Sequence, residues 1–115
     1  MIRKVYTILV ILTITLTSCG SKKLYSWHNY ENSSYRYIKN QSDISKQNLI
    51  ESYNKVLNSQ RGTRKTVPPG IYAERGYLLL RDGEIDEGIK YLEREMELYP
   101  ESETFLSRIV KQIKE

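Results

Sequence analysis

Residues 68–100 carry the pattern that most restricts the fold. Pro68-Pro69 is followed by Tyr72, Gly76, Leu79 and Leu80, spaced to share one face of a helix. Proline suits a helix's first turn, where its missing N–H is not needed, so the pair fixes an entry point. Asp82-Gly83 supplies a turn. Ile85, Ile89, Leu92, Met96 and Tyr99 then recur at spacings of 4, 3, 4 and 3, and Pro100 stops the helix. Two helices joined by so short a turn pack as antiparallel neighbours.

This hairpin resembles a tetratricopeptide repeat. Tyr72, Gly76, Leu79, Gly83, Gly88, Leu92 and Pro100 stand at signature positions of the 34-residue pattern. Gly76 and Gly88 are small enough to let two backbones approach closely. The chain departs from the pattern at Arg75, where leucine is preferred, and at Gly88 and Glu95, where alanine is preferred. Glycine inside a helix costs about 1 kcal/mol relative to alanine, so the second helix leans on packing.

The flanking segments read as helices too. Ser42 or Asp43 offers an N-cap, and Leu49, Ile50, Tyr53, Val56 and Leu57 form one stripe of a helix running to about Asn58. Phe105, Leu106, Ile109, Val110 and Ile113 form a last amphipathic helix with Ser102 as N-cap, covering one face of the hairpin while 43–58 covers the other. About three repeats make a stable array, so this is one repeat with flanking helices. The expected fold is all-α: a signal peptide, an aromatic arm, then a tetratricopeptide-like array of about four helices.

The N-terminus states where such a domain works. Met1–Lys4 is basic, Val5–Leu16 is apolar, and Leu16-Thr17-Ser18-Cys19 is followed by Gly20. Twelve apolar residues are too few to span a bilayer, which needs about 20. A branched aliphatic residue, two small residues and the single cysteine form the cleavage pattern of a bacterial lipoprotein signal peptide. Residues 1–18 are then the signal peptide, 19–23 a lipidated tether on Cys19, and 24–115 a single helical domain. One cysteine forms no internal disulfide. Gly20, where an inner-membrane retention signal would have Asp, favours the outer membrane, facing the periplasm.

Charge is divided along the chain. Residues 20–70 hold nine Lys/Arg and three Asp/Glu, whereas 71–115 hold seven against eleven. No aromatic-basic motif for nucleic acid accompanies the basic half, whose position beside the anchor suits anionic headgroups; an ordinary solvated surface is the competing reading. The loop 59–70, with Arg61, Arg64 and Lys65, is a candidate for touching phosphate-bearing lipid.

Ten tyrosines against one phenylalanine imply a core with amphipathic aromatics. Tyr30, Ser34, Tyr37 and Ile38 fit one face of a short helix, and Tyr25 and Trp27 alternate as in an extended arm. Tyr25, Trp27, Tyr30 and Tyr35, with Tyr72 and Tyr77 on the hairpin, are candidate partner-binding residues. Packing over the helices is the competing reading of the arm.

Little else suggests chemistry. His28 is the single histidine, so neither a zinc site with two or more His ligands nor a conventional metalloprotease helix can be built. Glu93, Glu95 and Glu97 are expected on a solvated face. Asp82, Glu84, Asp86 and Glu87 cluster at the turn without calcium-loop spacing. No catalytic residue, cofactor or metal site is expected, and the chain reads as a non-enzyme.

With Leu24-Tyr25-Ser26-Trp27, Tyr30-Glu31, Val67-Pro68-Pro69-Gly70, Ala73, Gly76-Tyr77-Leu78, Tyr99-Pro100-Glu101-Ser102 and Thr104-Phe105 quoted, the chain resembles a family of small Gram-negative lipoproteins, DUF family 4810. Met96 departs from it, standing where the family favours lysine. The resemblance implies a periplasmic tetratricopeptide-like lipoprotein and a neighbouring lipoprotein similar to the curli secretion channel CsgG. The resulting expectation is a non-enzymatic adaptor or accessory subunit of an envelope lipoprotein complex. The alternative is an envelope-maintenance factor binding peptidoglycan or anionic lipid directly.

Overall fold

A computed structural model describes residues 1–15 and 20–115. Every element among them is helical: α1 (Ile2–Thr15), α2 (Tyr30–Asn40), α3 (Asp43–Asn58), α4 (Ile71–Arg81), α5 (Ile85–Leu98), a 3-10 turn (Pro100–Ser102) and α6 (Glu103–Lys114). The fold is all-α, as expected. The body holds five α-helices instead of about four, because residues 30–40 form a complete helix, α2.

The helices pack in chain order: α2 on α3, α3 on α4, α4 on α5 and α5 on α6. The α4–α5 hairpin is the tightest joint. A Cβ on Gly76 would lie 2.9 Å from the Gly88 carbonyl oxygen, and one on Gly88 3.0 Å from the Gly76 carbonyl oxygen. Both distances are below van der Waals contact, so the crossing requires glycine on both helices. Gly83, at φ +86°, takes the left-handed conformation that closes the turn.

Local chemistry sets the helix ends. Ser42 caps α3 in a reciprocal box, its Oγ accepting from the Ser45 N–H at 3.2 Å while the Ser45 Oγ accepts from the Ser42 N–H at 3.1 Å. The N-cap of α4 is Gly70 in the left-handed region, so Pro68-Pro69 steer the chain toward α4 without forming its first turn. Ser102 does not cap α6 with its side chain. Its hydroxyl donates to the Tyr99 carbonyl at 2.7 Å, across the 3-10 turn that begins at Pro100.

Two apolar clusters hold the array. Leu49, Tyr53 and Val56 of α3 meet Val67, Ile71 and Leu78, with Trp27, Tyr30 and Tyr37 packed over them. Ile89 and Leu92 of α5 meet Leu106 and Val110 of α6. Helix α1 packs against none of the other described helices. Among the described residues, no helix is long and apolar enough to cross a membrane.

Candidate functional site

The arm that precedes α2 is fastened to the loop that follows α3. The Thr63 N–H donates to the Lys23 carbonyl at 3.0 Å and the Arg64 N–H to the Leu24 carbonyl at 3.1 Å. Gln60 exchanges two bonds with the Ser26 backbone, accepting from its N–H at 2.9 Å and donating to its carbonyl at 2.8 Å. The Arg61 N–H donates to the Ser26 hydroxyl, and the His28 Nε2–H donates to the Ser59 carbonyl, both at 2.8 Å. Gly62 lies so close beneath the arm that a Cβ would fall 2.2 Å from the Leu24 carbonyl oxygen.

From this frame a run of aromatic rings enters the core. Tyr25 meets Trp27 edge-on at 6.3 Å, Trp27 lies 5.6 Å from Tyr30, and Tyr30 lies 5.7 Å from Tyr53. The Tyr30 and Tyr53 hydroxyls both donate to Oε2 of Glu74. Burial first, and then the Glu74 carboxylate, push the Tyr30 phenol up to about 12. Tyr53 is raised for the same reasons, against the opposing charge of Arg75. Tyr99, whose hydroxyl donates to the Val67 carbonyl at 2.7 Å, is pushed up to about 12 by burial and by neighbouring Tyr25.

Two concave surfaces result. The first is a cleft of about 700 Å³ between the arm and the loop, lined by Tyr25, Trp27 and His28 and by four cations, Lys22, Lys23, Arg61 and Lys65. No carboxylate lines it. The second is a groove of about 510 Å³ across α2, α4 and α6, floored by Leu49, Tyr53 and Leu92. Its walls include Ile38, Tyr77 and Phe105, which are 70%, 61% and 68% exposed. The sequence pattern places Phe105 in a buried stripe, but no described helix covers it. Arg81 lies at the groove, its guanidinium 6.0 Å from the Tyr77 ring.

The six aromatic candidates therefore separate. Tyr25 and Trp27 line the cationic cleft, half-buried. Tyr30 is half-buried and tied to Glu74. Tyr72 packs 5.8 Å from Tyr91. Tyr35 is exposed on α2, with the Lys39 ammonium 5.9 Å from its ring centre. Tyr77 alone among the six lines the apolar groove. The proposed lipidation residue, Cys19, lies outside the described residues.

Glu95 departs from expectation. It is buried, not on a solvated face, because α5 turns it inward against α4. There its Oε1 accepts the Gly70 N–H at 2.6 Å, satisfying a donor at the start of α4. Its Oε2, like Nε and Nη1 of Arg75, is buried without a hydrogen-bond partner. Both residues stand where the repeat pattern prefers an apolar side chain. Among the described residues, no group of three or more His, Cys, Asp or Glu side chains could hold a metal ion.

Neither a curated protein nor a solved structure matches the chain. A family profile matches residues 24–109, from the arm through most of α6, and so covers the apolar groove and all of the cationic cleft except Lys22 and Lys23. That is 86 of the chain's 115 residues, and the protein belongs to the family described as a domain of unknown function, DUF4810.

Proposed function

We propose that the protein is a non-enzymatic adaptor, lipid-anchored through Cys19 at the periplasmic face of the outer membrane. Its groove receives an apolar helix of a partner envelope lipoprotein, for which a CsgG-like lipoprotein is the leading candidate. The carrying observation is the set of large apolar side chains left open together: Ile38 of α2, Tyr77 of α4 and Phe105 of α6. Single exposed apolar residues are ordinary, whereas a contiguous apolar concavity marks a binding surface.

Geometry suits a helix as occupant. Neighbouring helix axes lie roughly 10 Å apart, so the path from α2 to α6 is about 20 Å. A helix rises 1.5 Å per residue, and about 13 residues fill that length with three or four apolar anchors. Arg81 at the groove favours a partner carboxylate. The tetratricopeptide-like succession of helical pairs, α2–α3 and α4–α5, supports the reading, since such arrays present a face to helices and peptides.

The test is recovery of the partner from detergent-solubilised membranes with the full-length protein. Ile38→Glu and Phe105→Glu should leave helix content unchanged, because both side chains are exposed, and should abolish co-purification. Undiminished recovery with the double variant would remove the groove from the interface. A native protein that purifies only as a monomer, with no other lipoprotein, would remove the adaptor.

A further inference from the structure

The cationic cleft plays no part in the groove, and it has the features of a phosphate site. Lys22 and Lys23 reach it from the arm, and Arg61 and Lys65 from the loop. These segments are 38 or more residues apart in sequence, yet six hydrogen bonds between residues 23–28 and 59–64 fix them side by side. Among the described residues, no carboxylate lies within ion-pair distance of any of the four. Some cations elsewhere do have such a partner, as Lys46 has Asp82 and Lys114 has Glu93. Four like charges held around one hollow repel each other, and an anion entering it relieves that repulsion.

Two residues bordering the hollow hold left-handed backbone, as Gln41 does at the end of α2. His28 has φ +51° and Lys65 φ +49°. Such conformations persist only where surrounding contacts over-determine them, and they gather at ligand sites. Tyr25 and Trp27 complete the lining, and Leu24 is exposed beside them. Aromatic rings beside cations are the side chains favoured at a membrane interface, where one end is apolar and the other wet.

We propose that this cleft seats the phosphate of an anionic phospholipid headgroup. The phosphate seat rests on the cleft alone. The choice of a lipid as its source rests on the anchoring proposed above, which brings the cleft to a bilayer surface.

Trp27 is the only tryptophan, so its emission reports the cleft directly. Full-length protein in non-ionic detergent micelles is titrated with phosphatidylglycerol, with phosphatidylcholine, and with inorganic phosphate. A saturable change in Trp27 emission with phosphatidylglycerol, weak or absent with phosphatidylcholine, is the expected result. Arg61→Gln and Lys65→Gln should each weaken it about fivefold, and together about 25-fold. Lys90→Gln and Lys111→Gln, outside the cleft, should leave it unchanged. Competition by inorganic phosphate supports the phosphate seat, and a response to the lipid alone supports it with the glycerol and acyl chains as part of the ligand. No response, an equal response to phosphatidylcholine, or equal losses in the Lys90 and Lys111 variants would overturn the proposal. Because the micelle assay does not require acylation, mass analysis of Cys19 in membrane-extracted protein tests the anchor separately.

Discussion

Gly62→Ala isolates the contact that positions the arm. The new Cβ would stand 2.2 Å from the Leu24 carbonyl oxygen, 2.5 Å from its carbon and 2.6 Å from the Tyr25 Cα. All three atoms are backbone, so no side-chain rotation relieves the clash. Carbon and oxygen approach to about 3.3 Å, and the arm must therefore retreat by about 1 Å. The Thr63–Lys23 and Arg64–Leu24 bonds, at 3.0 and 3.1 Å, would then exceed hydrogen-bonding distance. At about 0.5–1.5 kcal/mol each, their loss costs the docked arm about 1–3 kcal/mol. Helices α3 to α5 do not depend on those bonds, so far-ultraviolet circular dichroism should be unchanged. Hydrogen exchange at the Thr63 and Arg64 amides should accelerate by one to two orders of magnitude, and Trp27 emission should shift toward the red. Gly20→Ala, with nothing within 4 Å of its Cβ, is the control. Parent-like amide protection together with parent-like emission in Gly62→Ala would refute the account of the arm.

The α4–α5 crossing gives a second, opposed pair of effects. Gly76→Ala gains about 1 kcal/mol of helix propensity but places a methyl 2.9 Å from the Gly88 carbonyl oxygen and 3.0 Å from the Tyr91 Cβ. Overpacking of this kind costs about 1–3 kcal/mol, and the backbone oxygen cannot rotate away. Net destabilisation of up to about 2 kcal/mol in urea unfolding is expected; an alanine variant more stable than the parent would show that the helices separate freely. The tyrosines predict alkaline behaviour. Folded Tyr30 and Tyr99 keep their protons to about pH 12, whereas unfolded phenols lose them near pH 10. Their contribution is whole below pH 10 and disappears as the pH rises through 12. Tyrosinate absorbance should therefore show a late-titrating subset, and Glu74→Gln should move Tyr30 back toward 10. A single step near pH 10 for all ten tyrosines would contradict the burial and Glu74 contacts.

What could be read from residues alone follows from the kind of force at each place. The helices α3, α4 and α5 were legible because apolar periodicity reports burial, and Asp82-Gly83 because a tight turn restricts residue type. The pairing of arm and loop was not. It is made by backbone groups and the Gln60 amide, none of which leaves a periodic mark, and Gly62 looks like any loop glycine. Glu95 reads as exposed because its neighbours Glu93 and Glu97 suggest an acidic run on a solvated face, yet it is buried. The available clue was its place at an interior alanine position of the repeat pattern. Phe105 fits a buried stripe by spacing, but spacing gives a helix its apolar face without saying whether another element covers it.

The fastened arm also changes how far an anchor could hold this molecule from a membrane. Gly20 to Lys23 is a four-residue tether, but the Lys23 carbonyl is already bonded to Thr63. With Cys19 acylated as proposed, three residues remain free, and at up to 3.6 Å each they span about 11 Å. That is close to the screening length of about 8–10 Å at physiological salt. Lys22, Lys23, Arg61 and Lys65 would then sit where headgroup charge is still felt, instead of a random distance away. The same bonds join the arm to the helical array, and Trp27 and Tyr30 pack on the α3–α4 core. A headgroup seated in the cleft would thus orient the whole body, including the groove across α2, α4 and α6. The two proposed roles would then be complementary: the cleft would set the attitude of the protein on the bilayer, and the groove would meet a partner held at the same surface.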